Sequence, residues 1–270
     1  MIIWANLDQE AIWAGIQLKP DVIKLIRGLS DQLAALAPAG EPLELWRPGD
    51  GAPPRWDLAW ADPDAKAVND RRFALGLGFA LPGARVVSSL AELDAHITEL
   101  GPIAWVCKAP WTAAGRDRCL GEGAPTADRR TRIERLLASF GALVFEPWLD
   151  RILDVGVCAS IDRAGAVTAH PPHQLRTTPH GGFAGIDLAP PALEPAELDQ
   201  LAAAVTAAGA ALHRAGYAGP FGIDAFAYRV RSTVEGRGGS IERRFHPLCE
   251  LNARHTFGHV ARGYALRAAT

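Results

Sequence analysis

Short apolar runs alternate with amphipathic stretches along this chain, and no single period holds throughout. IIWAN at the start is a brief apolar run. Ile23, Leu25, Ile26, Leu29, Leu33 and Leu36 then recur at helical spacing and predict a helix from Asp21 to Ala37. Pro38-Ala39-Gly40 ends it, LELWRP predicts a second strand, and Gly49 to Pro54 a turn-rich loop. A further helix is predicted from Ala65 to Leu77, then a turn and strand over LPGARVV. A helix from Ser89 to Leu100 follows, with Glu92 at capping-box distance from Ser89.

From Pro102 the texture changes. IAWVCKAP is an apolar strand ending on Lys108, followed by the small-residue loop WTAAGRDR. A helix from Ala127 to Phe140 and the strand LVFEPWL come next. DVGVCASID and AVTAHPPHQ predict antiparallel strands joined by the turn at Arg163-Ala164-Gly165. HGGFAG (180–185) has the composition of a loop, either lying over a substrate or merely connecting. The longest predicted helix runs from Glu194 to Ala215. FGIDAFAYRV and FHPLCELNA are then strands joined by a loop of Gly, Arg and Glu from Val234 to Ser240. This order predicts an α+β arrangement around an antiparallel sheet, attached to a small parallel α/β unit, with residues 1–100 and 101–270 as the two units.

Composition narrows the function classes. Of 270 residues, 49% are hydrophobic and 21% charged, the profile of a globular protein with a substantial core. A formal net charge of −2 supplies no global basic field, so neither nucleic acid nor an acidic membrane is an expected partner. Cys107, Cys119, Cys158 and Cys249 form no C-x-x-C pair and fit small buried thiols in a reducing compartment. MIIWANLDQE has no signal-peptide character, and no apolar run reaches the length of a membrane span. A cytoplasmic protein is the expectation.

The chemistry concentrates near the C-terminal end. Asp224 interrupts the apolar string FGIDAF, and Glu250, Asn252 and Arg254 occupy alternating positions in CELNARHT. Alternation puts all three on one face of a strand, opposite Leu251 and Ala253. Two carboxylates and an amide carbonyl are hard oxygen ligands suited to Mg²⁺, and an arginine beside them can grip a phosphate or carboxylate. A structural salt-bridge network would use the same residue types. Lys108 fits a phosphate contact, with backbone N–H groups of the following loop beside it, or a lysine snorkelling from a strand edge. LVFEPWLD could present backbone groups to a planar base, with Trp148 or Leu149 as an apolar face and Asp150 or Asp154 near a ribose; an ordinary strand leaving the core is the alternative. His255 and His259 are four apart in a predicted helix but have no third ligand for a metal.

Taken in order, VCKAPWTAAGRD, LVFEPWL, HGGFAG, GIDAF and ELNAR resemble the ATP-grasp superfamily over residues 102–262, with E-x-N-x-R after a strand-borne Asp the most specific part. The resemblance implies an ATP-grasp fold with antiparallel sheets in two subdomains, preceded by a small parallel α/β domain. It implies ATP and Mg²⁺ as cofactors. Lys108 would contact the phosphates, with Ala114 and Gly115 folding over them. Glu146, Pro147, Trp148 and Leu149 would hold adenine, and Asp150 or Asp154 the ribose. Asp224, Glu250 and Asn252 would carry the metal, and Arg254 would stabilise the transferred phosphoryl group. The implied activity is ligation of a small-molecule carboxylate to an amine through an acyl phosphate. The alternatives are a kinase without the ligation step and a nucleotide-binding scaffold without turnover. A homodimer is the assembly considered.

Overall fold

A computed structural model describes residues 1–112, 117–178, 182–231 and 240–269. Three sheets organise the chain. In the first, strand β1 (Ile2–Trp4) lies between β2 (Glu44–Trp46) and β3 (Leu58–Ala59), all parallel. The connections carry helices α1 (Gln9–Ala14) and α2 (Pro20–Ser30). The helix expected from Asp21 to Ala37 changes at Asp31 into a tighter 3₁₀ turn, Asp31–Leu36. Ser30 Oγ donates back to the Ile26 carbonyl at 2.9 Å, a bond that bends helices. The helix expected from Ala65 to Leu77 is also interrupted. Asp62 and Asp70 each accept a backbone N–H two residues ahead, which starts two short elements: a 3₁₀ turn, Pro63–Lys66, and helix α3 (Arg71–Leu75).

The second sheet has the order β4-β7-β5-β6 and is antiparallel throughout. It comprises β4 (Arg85–Val87), β5 (Ala104–Lys108), β6 (Arg118–Glu122) and β7 (Leu143–Pro147). Helices α4 (Leu90–Leu100) and α5 (Ala127–Phe140) cover it, around a core of Trp105, Phe145, Leu93 and Ile133. Residues 1–100 were expected to form one unit, yet β4 hydrogen-bonds to β7 and α4 packs into this second core. Strand β6 was hidden in sequence because the polar string RCLGE has no apolar alternation.

The third and largest sheet has the order β11-β10-β8-β12-β13, with β9 also on β8. Its strands are β8 (Asp150–Ile161), β9 (Val167–Ala169), β10 (His173–Thr177), β11 (Phe183–Asp187), β12 (Gly219–Arg231) and β13 (Ile241–Asn252). Residues 183–185, read as loop in sequence, begin β11 instead, because their backbone groups pair with β10. The long helix α6 (Pro195–Arg214) and the last helix α7 (Phe257–Ala268) pack on this sheet. Its core is continuous with the first unit: Ile3, Leu33 and Trp60 belong to one buried cluster with Val155, Phe221 and Leu251. Contact between α7 and the 3₁₀ turn is tight, since a Cβ on Gly263 would meet the Ala35 carbonyl oxygen at 2.1 Å. Among the described residues, no helix is long and apolar enough to cross a membrane.

Four histidines, His173 and His246 buried and His255 and His259 partly buried, are held toward the neutral imidazole. Burial holds His173, His246 and His255 down at about 4 and His259 at about 3. The unfolded chain takes up protons near 6.5, whereas these folded imidazoles resist protonation until far lower. The stability these imidazoles contribute is therefore full well above pH 6.5 and falls progressively as pH drops toward 4, more than offsetting the relief of Asp224 over the same range. Urea unfolding should show a loss of at least ~2 kcal/mol between pH 7.5 and pH 5. A profile flat across that range would show the imidazoles to be solvated.

Candidate active site

Pairing of β12 with β13 sets the centre of the site. Asp224 lies directly opposite Glu250, and Gly222 opposite Asn252. The three polar side chains therefore share one sheet face. Just beyond, the register shifts, with Ala225 of β12 facing the three residues 247–249 of β13. Pro247 has no N–H to offer the ladder, and a bulge at this point bends β13 and aims Glu250 off the flat sheet. Across β12, Asp224 faces Gly156 of β8, and Gly156 faces His173 of β10. Gly156 and Gly222 keep this floor low: a Cβ on Gly156 would lie 2.5 Å from His173, and one on Gly222 2.5 Å from Thr256.

Above this floor is a cleft of about 280 Å³. The second sheet supplies Lys108, Arg118 and Trp148; the first unit supplies Leu7, Glu10, Ile26, Leu29, Trp60 and Arg71. Among the described residues, five cationic and three carboxylate side chains line it, so the cleft suits an anion. Arg254 lies beyond the end of β13, in a bend, not at a third alternating position on the strand. Its guanidinium still turns back to Asn252 Oδ1 at 2.9 Å and meets Glu10 as an ion pair at 2.6 Å. The same group lies over the Trp60 ring, 5.4 Å from its centroid.

Asp224 and Glu250 experience opposite electrostatics although they are neighbours. Burial and then the charge of Glu250 push Asp224 up to about 7. Burial also acts to raise Glu250, but Arg71, Lys108 and Arg254 outweigh it and hold that carboxyl below its ordinary range. Two carboxylates and an amide share one face of the sheet, and the charge of one carboxylate works against ionisation of the other. That donor set fits a hard divalent cation. Among the described residues, no three His, Cys, Asp or Glu side chains converge as a metal cluster, so the amide of Asn252 is needed to complete the set.

The remaining sequence candidates fall in different places. Lys108 ends β5 and contacts Glu146 of β7 at 2.5 Å. Burial would lower the Lys108 ammonium, but the Glu146 charge reverses this and holds it raised. Ala114 and Gly115 lie outside the described residues. Pro147 ends β7, and the Trp148 N–H is already donated to the Ala104 carbonyl at 2.8 Å. Leu149 packs against the cluster of Leu81, Phe226 and Tyr228. Asp154 is buried behind the cleft, ion-paired to Arg151 and accepting from Thr177 Oγ1 at 2.6 Å; Arg151 and Thr177 themselves line the cleft. Asp150 opens β8 and is exposed. His255 precedes α7, so the expected helical His pair does not exist; His259 and Thr256 cap that helix reciprocally.

Sequence reasoning did not reach Glu10, Arg71 or Arg151. Arg71 donates to the Ala109 carbonyl (2.6 Å), to Thr112 Oγ1 (3.0 Å) and carbonyl (2.8 Å), and to Glu250 Oε1 (2.8 Å). Beside it, Asn69 exchanges hydrogen bonds with the N–H and carbonyl of Ala253. Glu10 is positioned by Asn6, which hydrogen-bonds both ways with Ala61 and so fixes the start of α1 against the Trp60 segment. A charged residue among other charged residues in VNDRRF gives no sequence signal for such a role. Arg71→Met leaves Glu250 with one partner fewer and frees the segment after β5. We expect a loss of about 2–3 kcal/mol in chemical unfolding, with faster amide exchange at 109–112. Unchanged exchange there would show that Arg71 does not hold the segment.

No protein-family model matches the sequence, and no curated protein matches it. Solved structures do resemble it. The biotin carboxylase domain of the Hydrogenobacter thermophilus 2-oxoglutarate carboxylase superposes with a TM-score of 0.53 at 14% identity, over 74% of this chain and 43% of that one. Rhizobium etli pyruvate carboxylase gives 0.52 at 19%, over 75% of this chain and 17% of that one. Campylobacter jejuni biotin carboxylase gives 0.50 at 15%, over 72% and 40%. The chain thus spans less than half the length of each. At such identities the likeness is one of architecture: this chain has the ATP-grasp fold, with a parallel α/β unit ahead of two antiparallel sheets that enclose a cleft.

Proposed function

We propose that this protein is an ATP- and Mg²⁺-dependent ligase that activates a small-molecule carboxylate as an acyl phosphate and joins it to an amine. The observation that carries this reading is the convergence of Asp224, Glu250, Asn252, Lys108 and Arg254 on one cationic cleft. Support also comes from the neighbours: the Hydrogenobacter domain was solved with MgADP, ADP and bicarbonate, and the Campylobacter enzyme as a β-γ-ATP complex. In this reading Glu146 to Leu149 bound the adenine end, with Trp148 on the cleft wall, and Lys108 faces the phosphates.

Asp224, Glu250 and Asn252 would hold the metal, which when bound neutralises phosphate charge during transfer. The other roles belong to the chain. Lys108 brings a buried ammonium with two donors beyond its bond to Glu146. Arg254, oriented by Glu10 and Asn252, directs a delocalised cation at the carboxylate oxygen that attacks the γ-phosphorus. As that P–O bond forms, the bond to the β-γ bridging oxygen breaks and ADP departs. An amine nitrogen then attacks the acyl carbon, loses a proton, and inorganic phosphate leaves. The first turn of α7, at Phe257 and Gly258, borders the cleft and adds the positive end of a helix near the acid.

With a productive acid, the purified protein should release ADP, and hydroxylamine should trap the activated acid as a hydroxamate. AMP and pyrophosphate as products would overturn the mechanism, and an alkyl phosphate product would identify a kinase. Asn252→Ala should lower kcat by about 10²–10³-fold, the range for removing one transition-state stabiliser. Asp224→Asn relieves the crowding with Glu250, so it should raise the stability of the metal-free protein by ~1–3 kcal/mol while abolishing the stabilisation given by MgADP. A loss of metal-free stability in Asp224→Asn would contradict the crowding.

A further inference from the structure

Beyond the phosphate-binding half, the cleft changes character. Past Arg254 its wall is built from Leu7, Ile26, Leu29 and Trp60 of the first unit, with Phe257 at the start of α7. Trp60 and Phe257 are in ring contact, with centroids 5.1 Å apart at 50°. Phe183 of β11 extends the aromatic surface, stacked on Phe257 at 5.9 Å and 20°. Phe183 is 50% exposed, an unusual position for a large apolar side chain in the mouth of a cleft. The charged group of the first unit in this part, Glu10, is in ion-pair contact with Arg254.

On the reading that the protein activates a carboxylate, we infer that its acid substrate carries a hydrophobic body, aliphatic or aromatic, and that the N-terminal α/β unit is the wall that selects it. The carboxylate of such an acid reaches Arg254, whose guanidinium is stacked on Trp60, while the body lies along Trp60, Phe257, Ile26 and Leu29. Each apolar methylene removed from water there favours binding, whereas a polar body would bury donors and acceptors against hydrocarbon.

The test compares 3-phenylpropionate, 4-methylpentanoate, L-phenylalanine and L-leucine with acetate, glycine, L-aspartate and bicarbonate in the hydroxamate assay with ATP and Mg²⁺. The hydrophobic acids should exceed the others in kcat/KM by at least about tenfold. Equal or better turnover of acetate, glycine, aspartate or bicarbonate would overturn the inference while leaving the ligase reading intact. Leu29→Trp should fill the compartment and raise KM for the hydrophobic acids about tenfold, with MgADP affinity unchanged. Phe183→Ala, at a half-exposed position where folding is not at stake, should weaken the aromatic acids more than acetate; an equal effect on both would count against the compartment. If no acid supports ADP release, the ligase reading fails, and the inference is judged by calorimetry of 3-phenylpropionate against the purified protein. Binding that is lost in Leu29→Trp upholds it, and no binding overturns it.

Discussion

The arrangement rests on the Arg71 guanidinium, which joins three parts of the chain at one point. It fixes two carbonyls and a hydroxyl of the segment after β5 and a carboxylate oxygen of β13, while its own backbone starts α3. A planar fork with five donors is suited to this; an ammonium could not hold four acceptors in these directions. The consequence is electrostatic as well as geometric. Arg71 is the foremost influence keeping the partly buried Glu250 charged, and a charged Glu250 adds to the burial that holds Asp224 up. The position of the segment after β5 and the charges of Glu250 and Asp224 are thereby linked through one side chain.

Around that point, each sheet contributes a different surface. The third sheet supplies a floor lowered by Gly156 and Gly222; the second supplies the wall bearing Lys108; the first unit closes the remaining end. Division of labour follows from these sources. The polar side chains of the cleft come from strand ends and from beside the register shift of β13, where a side chain can leave the core. Apolar groups come from the flanks of α2 and from Trp60, whose backbone is held by Trp4 of β1 and by His255. The ion pair between Glu10 and Arg254 fastens the two chemistries together.

The site holds this geometry against its own stability. Two carboxylates face each other in register, and burial together with the charge of Glu250 drives Asp224 up. Such strain is the usual mark of a preorganised site, because charges positioned before a ligand arrives need not be reorganised when it binds. His173 shows a related feature. It is 2% exposed, lies on the cleft floor and, among the described residues, has no hydrogen-bond partner at Nδ1.

By itself the sequence determined the kinds of element and the polar set at the C-terminal end. Apolar periodicity located β5, β7, β12, β13, α5 and α6 because those segments bury one face or two, and burial dictates residue type position by position. The strings GIDAF and ELNAR disclosed Asp224, Glu250 and Asn252 because carboxylates within apolar strands need a reason to be there. Local capping was less legible: Asp62 and Asp70 divided a stretch whose apolar spacing is helical, since two side-chain caps outweigh a weak periodic preference. Tertiary structure alone decided which cations meet the ligand set. Arg71 and Glu250 are 179 positions apart, and Glu10 meets an arginine from the opposite end of the chain. No local pattern encodes such pairs, because an arginine on a short helix has the same neighbours in sequence whether it ends in solvent or against a buried carboxylate. The fold supplies the difference, by packing the N-terminal unit onto the last strand and helix and bringing their charges into one low-dielectric cleft.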